Sequence, residues 1–282
     1  MSARVKQLRA AGIVTTLVVI VLAVVLLFPL YWMFMTSILP STVVLSRHPP
    51  LLPPLSDISF DAYRTIIDRR PILRWFANST VITLGSAVMS MAIATLAGYS
   101  LSRFRTRGQL AMGYLLLVNR MLPGTLLIIP LYVMFSQAHL INNPIALVLA
   151  NSTAIVPFST WMMKGFFDGI PIELEDAAMV DGASQLRAMV GVILPLTTPG
   201  LAATAIYSAI LAWSDFLFSR TLLLNPDRWT VTVGMASFVG EHMIDWSSLM
   251  AAGIISIAPI LLLFIFLEPF LVSGMTSGSV KG

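Results

Sequence analysis

The chain has 282 residues, 57% of them hydrophobic and 11% charged, with no cysteine and a formal net charge of +4. Soluble domains carry about 25% charged residues, so a mean hydropathy of +0.87 excludes a water-exposed globule and points to a polytopic membrane protein. The lack of cysteine excludes disulfide frameworks, thiolate chemistry and cysteine metal sites, and the small charge says nothing of nucleic acid.

In chain order, the first apolar run covers residues 11–35 behind a basic head of Arg4, Lys6 and Arg9. A signal peptide shares this polarity, but its apolar part is only about 7–15 residues long and ends at small residues. This run is longer and ends in Pro29, Tyr31 and Trp32, as a retained helix would. A Pro-rich polar stretch, 39–74, leads to further apolar runs at 76–100, 111–136, 145–166, 199–219 and 248–272. Each is long enough to span. Backbone amides find no water in lipid, and continuous rather than alternating apolarity excludes a barrel. The expected fold class is therefore an all-α membrane protein with six transmembrane helices.

Six crossings leave both termini on one side. The basic head, and Arg103, Arg105 and Arg107 between the second and third runs, mark that side as cytoplasmic. Arg64, Arg69, Arg70 and Arg74 then fall outside, in a loop shared with Asp57, Asp61 and Asp68.

The long polar connection between the fourth and fifth runs, 166–198, holds Asp168, Glu173, Glu175, Asp176 and Asp181 out of thirteen acidic residues in all. It reads as two short helices joined at a glycine. Pro171 suits a first helical turn, and Glu173, Glu175 and Asp176 sit where a helix N-terminus favours negative charge. Gly182 fits a left-handed C-cap, and Ser184 can cap a second helix carrying Leu186, Met189, Val190 and Ile193. Helices that lie at headgroups are usually rich in Lys and Arg. An acidic pair with an apolar face suits a basic cleft on a protein partner instead.

The stretch Glu175-Asp176-Ala177-Ala178-Met179-Val180-Asp181-Gly182-Ala183-Ser184, followed by Ile193-Leu194-Pro195-Leu196 and Pro199-Gly200, resembles the EAA loop of ABC-importer permeases. Trp75-Phe76-Ala77-Asn78-Ser79, Ala97-Gly98-Tyr99-Ser100-Leu101-Ser102-Arg103 and Met121-Leu122-Pro123-Gly124 resemble the maltose-type carbohydrate branch, as does the tail Gly274–Gly282. Ser214 beside Trp213 and Glu268-Pro269 depart from that branch's usual residues. The resemblance implies a permease domain over 11–272, with cytoplasmic tails at 1–10 and 273–282, in the plasma (inner) membrane. It implies that Glu175, Asp176, Ala177, Ala178, Asp181, Gly182 and Ala183 couple the chain to an ATPase. The implied partners are a second homologous permease, two ATP-binding subunits and an extracytoplasmic substrate-binding protein. The implied substrate is a di- or oligosaccharide or related sugar. The alternatives are a stand-alone secondary transporter and a permease for a non-sugar such as glycerol phosphate.

Catalysis is not expected on this chain. Its lysines, Lys6, Lys164 and Lys281, do not follow a glycine, so there is no phosphate-cradling G-x-x-x-x-G-K-[ST] loop. ATP and Mg belong on the partner, and no cofactor or metal is expected here. His48, His139 and His242 lie far apart, with no H-E-x-x-H or G-x-S-x-G pattern. Within the spans, Arg120 precedes Pro123-Gly124, where a helix should break. An intramembrane charge faces a partner or a cavity, so Arg120 either lines a pathway or pairs with Asp215. Trp213 with Asp215 suits sugar stacking or an aromatic belt, and Asn151, Asn78, Ser79 and Ser152 suit pore lining or helix packing.

Overall fold

The computed structural model describes residues 2–47, 49–104, 107–121, 123–239 and 244–277. In chain order its helices are α1 (Ser2–Ser37), α2 (Ser41–Val44), α3 (Asp61–Asp68), α4 (Ile72–Arg103), α5 (Arg107–Met121), α6 (Ile128–Gln137) and α7 (Pro144–Asp168). They continue with α8 (Glu173–Val180), α9 (Gln185–Ala188), α10 (Leu194–Leu196), α11 (Thr198–Ser214), α12 (Leu217–Leu222), α13 (Val231–Ala236) and α14 (Trp246–Ser277). A π-helical turn, Met189–Ile193, joins α9 to α10. Among the described residues, β pairing is limited to an isolated bridge between Val239 and Ile244. Two compact units form, Met1–Pro71 with Ser237–Ser256, and Ile72–Ala236 with Ile257–Gly282.

In the first unit, the stretch Gly12–Ser37 of α1 reaches a mean hydropathy of 3.0, is exposed throughout 12–30 and becomes buried only at its end, at Thr36 and Ser37. A helix apolar all round is stable only in lipid or against another apolar surface. Its end is pinned by polar contacts. The Ser37 hydroxyl lies 2.8 Å from the Tyr63 hydroxyl, the Ser59 amide donates to the Ile38 carbonyl at 2.8 Å, and the Ser247 hydroxyl donates to the Leu39 carbonyl at 2.9 Å.

In the second unit, α4, α7 and α11 pack through small residues. A Cβ on Gly98 would stand 2.8 Å from the Met163 Cβ and 2.9 Å from the Lys164 nitrogen. One on Gly200 would run into the Phe166 ring. Close backbones of this kind are how helices associate where lipid tails are as apolar as leucine. Ser86, Ser90, Ser159, Thr160, Thr204 and Ser208 are fully buried there. Thr204 and Ser208 return their hydroxyl protons to carbonyls of their own helix, at 2.8 and 2.7 Å.

Helices long and apolar enough to cross a membrane are Gly12–Ser37, Ile72–Arg103, Pro144–Asp168 and Trp246–Phe270, matching the first, second, fourth and sixth expected spans. The fifth maps to Thr198–Ser214, which is bent by 79° from the helical stretch Gln185–Leu196 before it. The expected third span is not one helix. Helix α5 ends at Met121, Pro123 takes an extended conformation (φ −64°, ψ 131°), and the apolar part resumes as the ten-residue α6. A proline has no amide to donate and displaces the preceding turn, so the break follows from the residue itself. The expected fifth span likewise stops short, at Ser214, because Asp215 is extended (φ −64°, ψ 128°).

Candidate functional site

The acidic segment folds as two helices reversed at a glycine, as read from its residues. The second is shorter than expected, α9 passing at Met189 into the π-helical turn, and the first starts later. Pro171 precedes α8 instead of opening it, and the first turn carries Glu173, Glu175 and Asp176. Gly182 has φ +90°, the left-handed conformation that reverses the chain between α8 and α9. The Ser184 hydroxyl caps α9 by accepting from the Arg187 amide at 3.4 Å. Asp176, Ala177, Asp181 and Gly182 are exposed, and Ala178 and Ala183 are half-buried. Around them stand exposed apolar side chains, with Val180 at 87% and Leu186 at 64% exposure and Ile172, Leu174 and Met179 less so. An apolar patch edged by carboxylates is a surface that gains by being covered.

Glu175 is the exception. It is 2% exposed and turned into the protein, against the last turn of α4. The Arg103 Nε donates to its Oε2 at 2.9 Å, and the Tyr99 hydroxyl donates to its Oε1. A second guanidinium nitrogen of Arg103 donates to the Ile170 carbonyl at 3.1 Å. The two charged side chains are 7% and 3% exposed. Next to this cluster the Ser102 hydroxyl donates to Asp168 at 2.7 Å, and Lys164 pairs with the same carboxylate at 2.5 Å. The Tyr99 ring stands edge-on to Phe167 with centroids 5.7 Å apart. The ends of α4 and α7 and the start of α8 are thus tied by ionic, hydroxyl and aromatic contacts at one place. The sequence marks Arg103 as a sign of topology and places it with Tyr99 in a stretch that carries the resemblance, but singles out neither as a contact of Glu175. Their i, i+4 spacing puts both on one face of α4, but the carboxylate they meet is 72 residues beyond Arg103 and 76 beyond Tyr99.

The residues proposed from sequence to line a pathway take separate local roles where the structure describes them. Asn151 is buried in α7, and its amide nitrogen has no partner among the described residues. Trp213 is buried, its ring edge-on to Phe76 at 5.4 Å. Asp215 leaves α11 and caps α12, its carboxylate accepting from the Phe218 and Ser219 amides at 3.2 and 2.8 Å and from the Ser219 hydroxyl at 2.7 Å. The Arg120 side chain lies outside the described residues, as do His48, Arg105 and His242. Asn78 and Ser79 have a definite task in packing. The Asn78 amide donates to the Asp227 and Trp229 carbonyls, each at 3.0 Å, and the Ser79 hydroxyl accepts from the Val231 amide at 2.8 Å.

Residues 90–277 match the family profile described as binding-protein-dependent transport system inner membrane component. The chain belongs to this family. The diacetylchitobiose uptake system permease protein DasC of Streptomyces coelicolor is 32% identical over 263 residues, covering 93% of this chain and 95% of that one. The maltodextrin transport system permease protein MdxG of Bacillus subtilis is 35% identical over 79% of this chain and 81% of its own. The trehalose/maltose transport system permease protein MalG of Thermococcus litoralis is 32% identical over 93% and 94%. Among solved structures, a chain of a bacterial ABC transporter involved in import of the acidic polysaccharide alginate superposes with a TM-score of 0.79 at 22% identity, covering 93% of this chain and 96% of that one. That likeness establishes the fold. As an inner membrane component of a transport system, the chain carries its exposed apolar helices as lipid-facing surface rather than as an aggregation hazard.

Proposed function

We propose that this chain is a permease subunit of an ATP-driven importer for a di- or oligosaccharide or related sugar. The reading rests on similarity, over 79–93% of this chain, to permeases named for diacetylchitobiose uptake and for maltodextrin and trehalose/maltose transport. In it, six crossings leave both termini in the cytoplasm, with α5 and α6 making the third crossing around the Pro123 break. The chain works beside a second homologous permease, two ATP-binding subunits that hold ATP and Mg, and an extracytoplasmic binding protein. The α8–α9 pair docks into a cleft of one ATP-binding subunit through Asp176, Val180, Asp181 and Leu186. Closure of the ATP-binding pair displaces that cleft and rocks the permease helices from inward-open to outward-open, and hydrolysis resets them. Only contacts that differ between the states can move such an equilibrium. Arg120, Asn151, Trp213 and Asp215 are the residues proposed for the substrate route, Asp215 through the break it makes after α11.

The test is purification in mild detergent followed by uptake in proteoliposomes with the partner subunits and binding protein encoded beside this gene. Retention of an ATP-binding subunit and ATP-dependent uptake of a sugar held by that binding protein are expected. Uptake driven by an ion gradient, with no ATP-binding subunit retained, would establish a secondary transporter. A phosphate-bearing cargo would establish the non-sugar reading.

A further inference from the structure

We infer that Glu175 is not part of the surface that meets the ATP-binding subunit. Together with Arg103 and Tyr99 it is an internal rivet that carries the motion of the docked helix pair into α4. This inference rests on the docking of α8–α9 proposed above. Arg103 and Tyr99 are then positioning residues for transport, acting through Glu175.

Three observations lead there. Glu175 is 2% exposed while its neighbours Asp176 and Ala177 are exposed, so within α8 the carboxylates are divided between an inward and an outward face. Both carboxylate oxygens are engaged within the chain, one by the Arg103 Nε at 2.9 Å and the other by the Tyr99 hydroxyl. The same guanidinium also holds the Ile170 carbonyl at 3.1 Å, so one planar fork grips both α8 and the link that leads into it from α7. A lysine could neutralise the carboxylate but could not span both acceptors in fixed geometry.

The physical consequence concerns stiffness. An ion pair removed from water is screened little and holds its geometry, unlike an exposed pair on mobile side chains. Arg103 ends the 32-residue helix α4, which is packed without clearance against α7 at Gly98. A displacement of α8 therefore pulls on the end of a rigid rod. Without the rivet, α8 keeps its flanking turns and its packing on α9 and on the Met189–Ile193 turn but loses its ionic tie to the end of α4, and the partner's motion is absorbed there. The exposed outer face, with Asp176 and Val180, would still be gripped.

The experiment compares wild type with Arg103→Gln, Glu175→Gln, Arg103→Lys and the double variant Arg103→Gln/Glu175→Gln. Each is assembled into the full transporter and read for retention of the ATP-binding subunit, ATP hydrolysis and sugar uptake. The double variant removes both charges together and so leaves no unpaired buried ion. It guards against single variants that fail to insert. The rivet predicts that retention is unchanged and uptake per ATP hydrolysed falls by about tenfold, the factor that a lost charge-assisted hydrogen bond supplies. The double variant should fall no further than Glu175→Gln, because the two residues act as one unit, and Arg103→Lys should recover part of the loss. If Glu175→Gln loses the ATP-binding subunit while Arg103→Gln keeps it, Glu175 is a docking contact and the inference is overturned. It is overturned equally if the double variant couples uptake to hydrolysis as wild type does. Failure of wild type itself to retain an ATP-binding subunit would instead sink the docking on which the rivet depends.

Discussion

Gly182 shows how much a single residue can be asked to do. Its φ of +90° turns the chain between α8 and α9, and nothing stands within 4 Å of where its Cβ would be. Space is therefore not the constraint; the backbone conformation is. A β-carbon in left-handed geometry costs roughly 1–2 kcal/mol, and more for a branched side chain, whereas asparagine visits that region routinely. Gly182→Val is expected to lower uptake relative to ATP hydrolysis, and Gly182→Asn to keep most of it. Comparable losses in the two variants would place the sensitivity in the docked surface rather than in the turn. Glu175 and Asp215 teach the opposite lesson. The sequence offers Glu175 as a coupling residue and Asp215 as either a pathway residue or an ion-pair partner for Arg120. The structure commits one to Arg103 and Tyr99 and the other to the start of α12. A carboxylate's chemistry is legible from its identity, but the direction it faces is not.

At the scale of elements, the α8–α9 pair was legible because its signals are local. Acidic residues in a first turn, a glycine at the reversal and a serine cap act within a few residues of one another. What the pair exposes follows from its packing: Val180 and Leu186 stand out at 87% and 64% because the opposite face is used up against the rest of the unit. Val180→Lys or Leu186→Lys should therefore weaken retention of the ATP-binding subunit while leaving membrane abundance near wild type. Each buries a charge only in the docked state, at a cost of several kcal/mol if unpaired. Membrane abundance that falls in step with retention would show that these side chains serve folding instead. The breaks at Pro123 and Asp215 divide by the same rule. Proline announces its own interruption, whereas the end of α11 depends on Asp215 finding the Phe218 and Ser219 amides beyond it.

For the whole molecule, the apolar surface of α1 and the compact packing of α4, α7 and α11 pose the question of how the chain lies in the membrane. Arg103 and its neighbours mark one end of α4, and Arg74 and Asp227, paired at 2.5 Å on exposed side chains, mark the other end of the second unit. Positive residues are retained on the cytoplasmic side. Reporter fusions should accordingly place residue 227 outside the cell and residue 181 inside it. A reporter that works outside when fused at residue 181 would reverse the orientation and remove the docking surface from the ATP-binding subunit's reach.

The sequence by itself determined the solvent this protein lives in, its helical class and the acidic helix pair, because apolar run length, proline, glycine and caps act over a few residues. It also carried the family resemblance, which depends on residue order alone. Only the tertiary structure decided that Glu175 turns inward, that Trp213 packs on Phe76, and that Asn78 and Ser79 clasp the segment around Trp229. Those outcomes join residues from 72 to more than 150 positions apart. Which distant partner a side chain meets is set by how close the glycine-lined helices can come, and that distance is a property of the folded bundle.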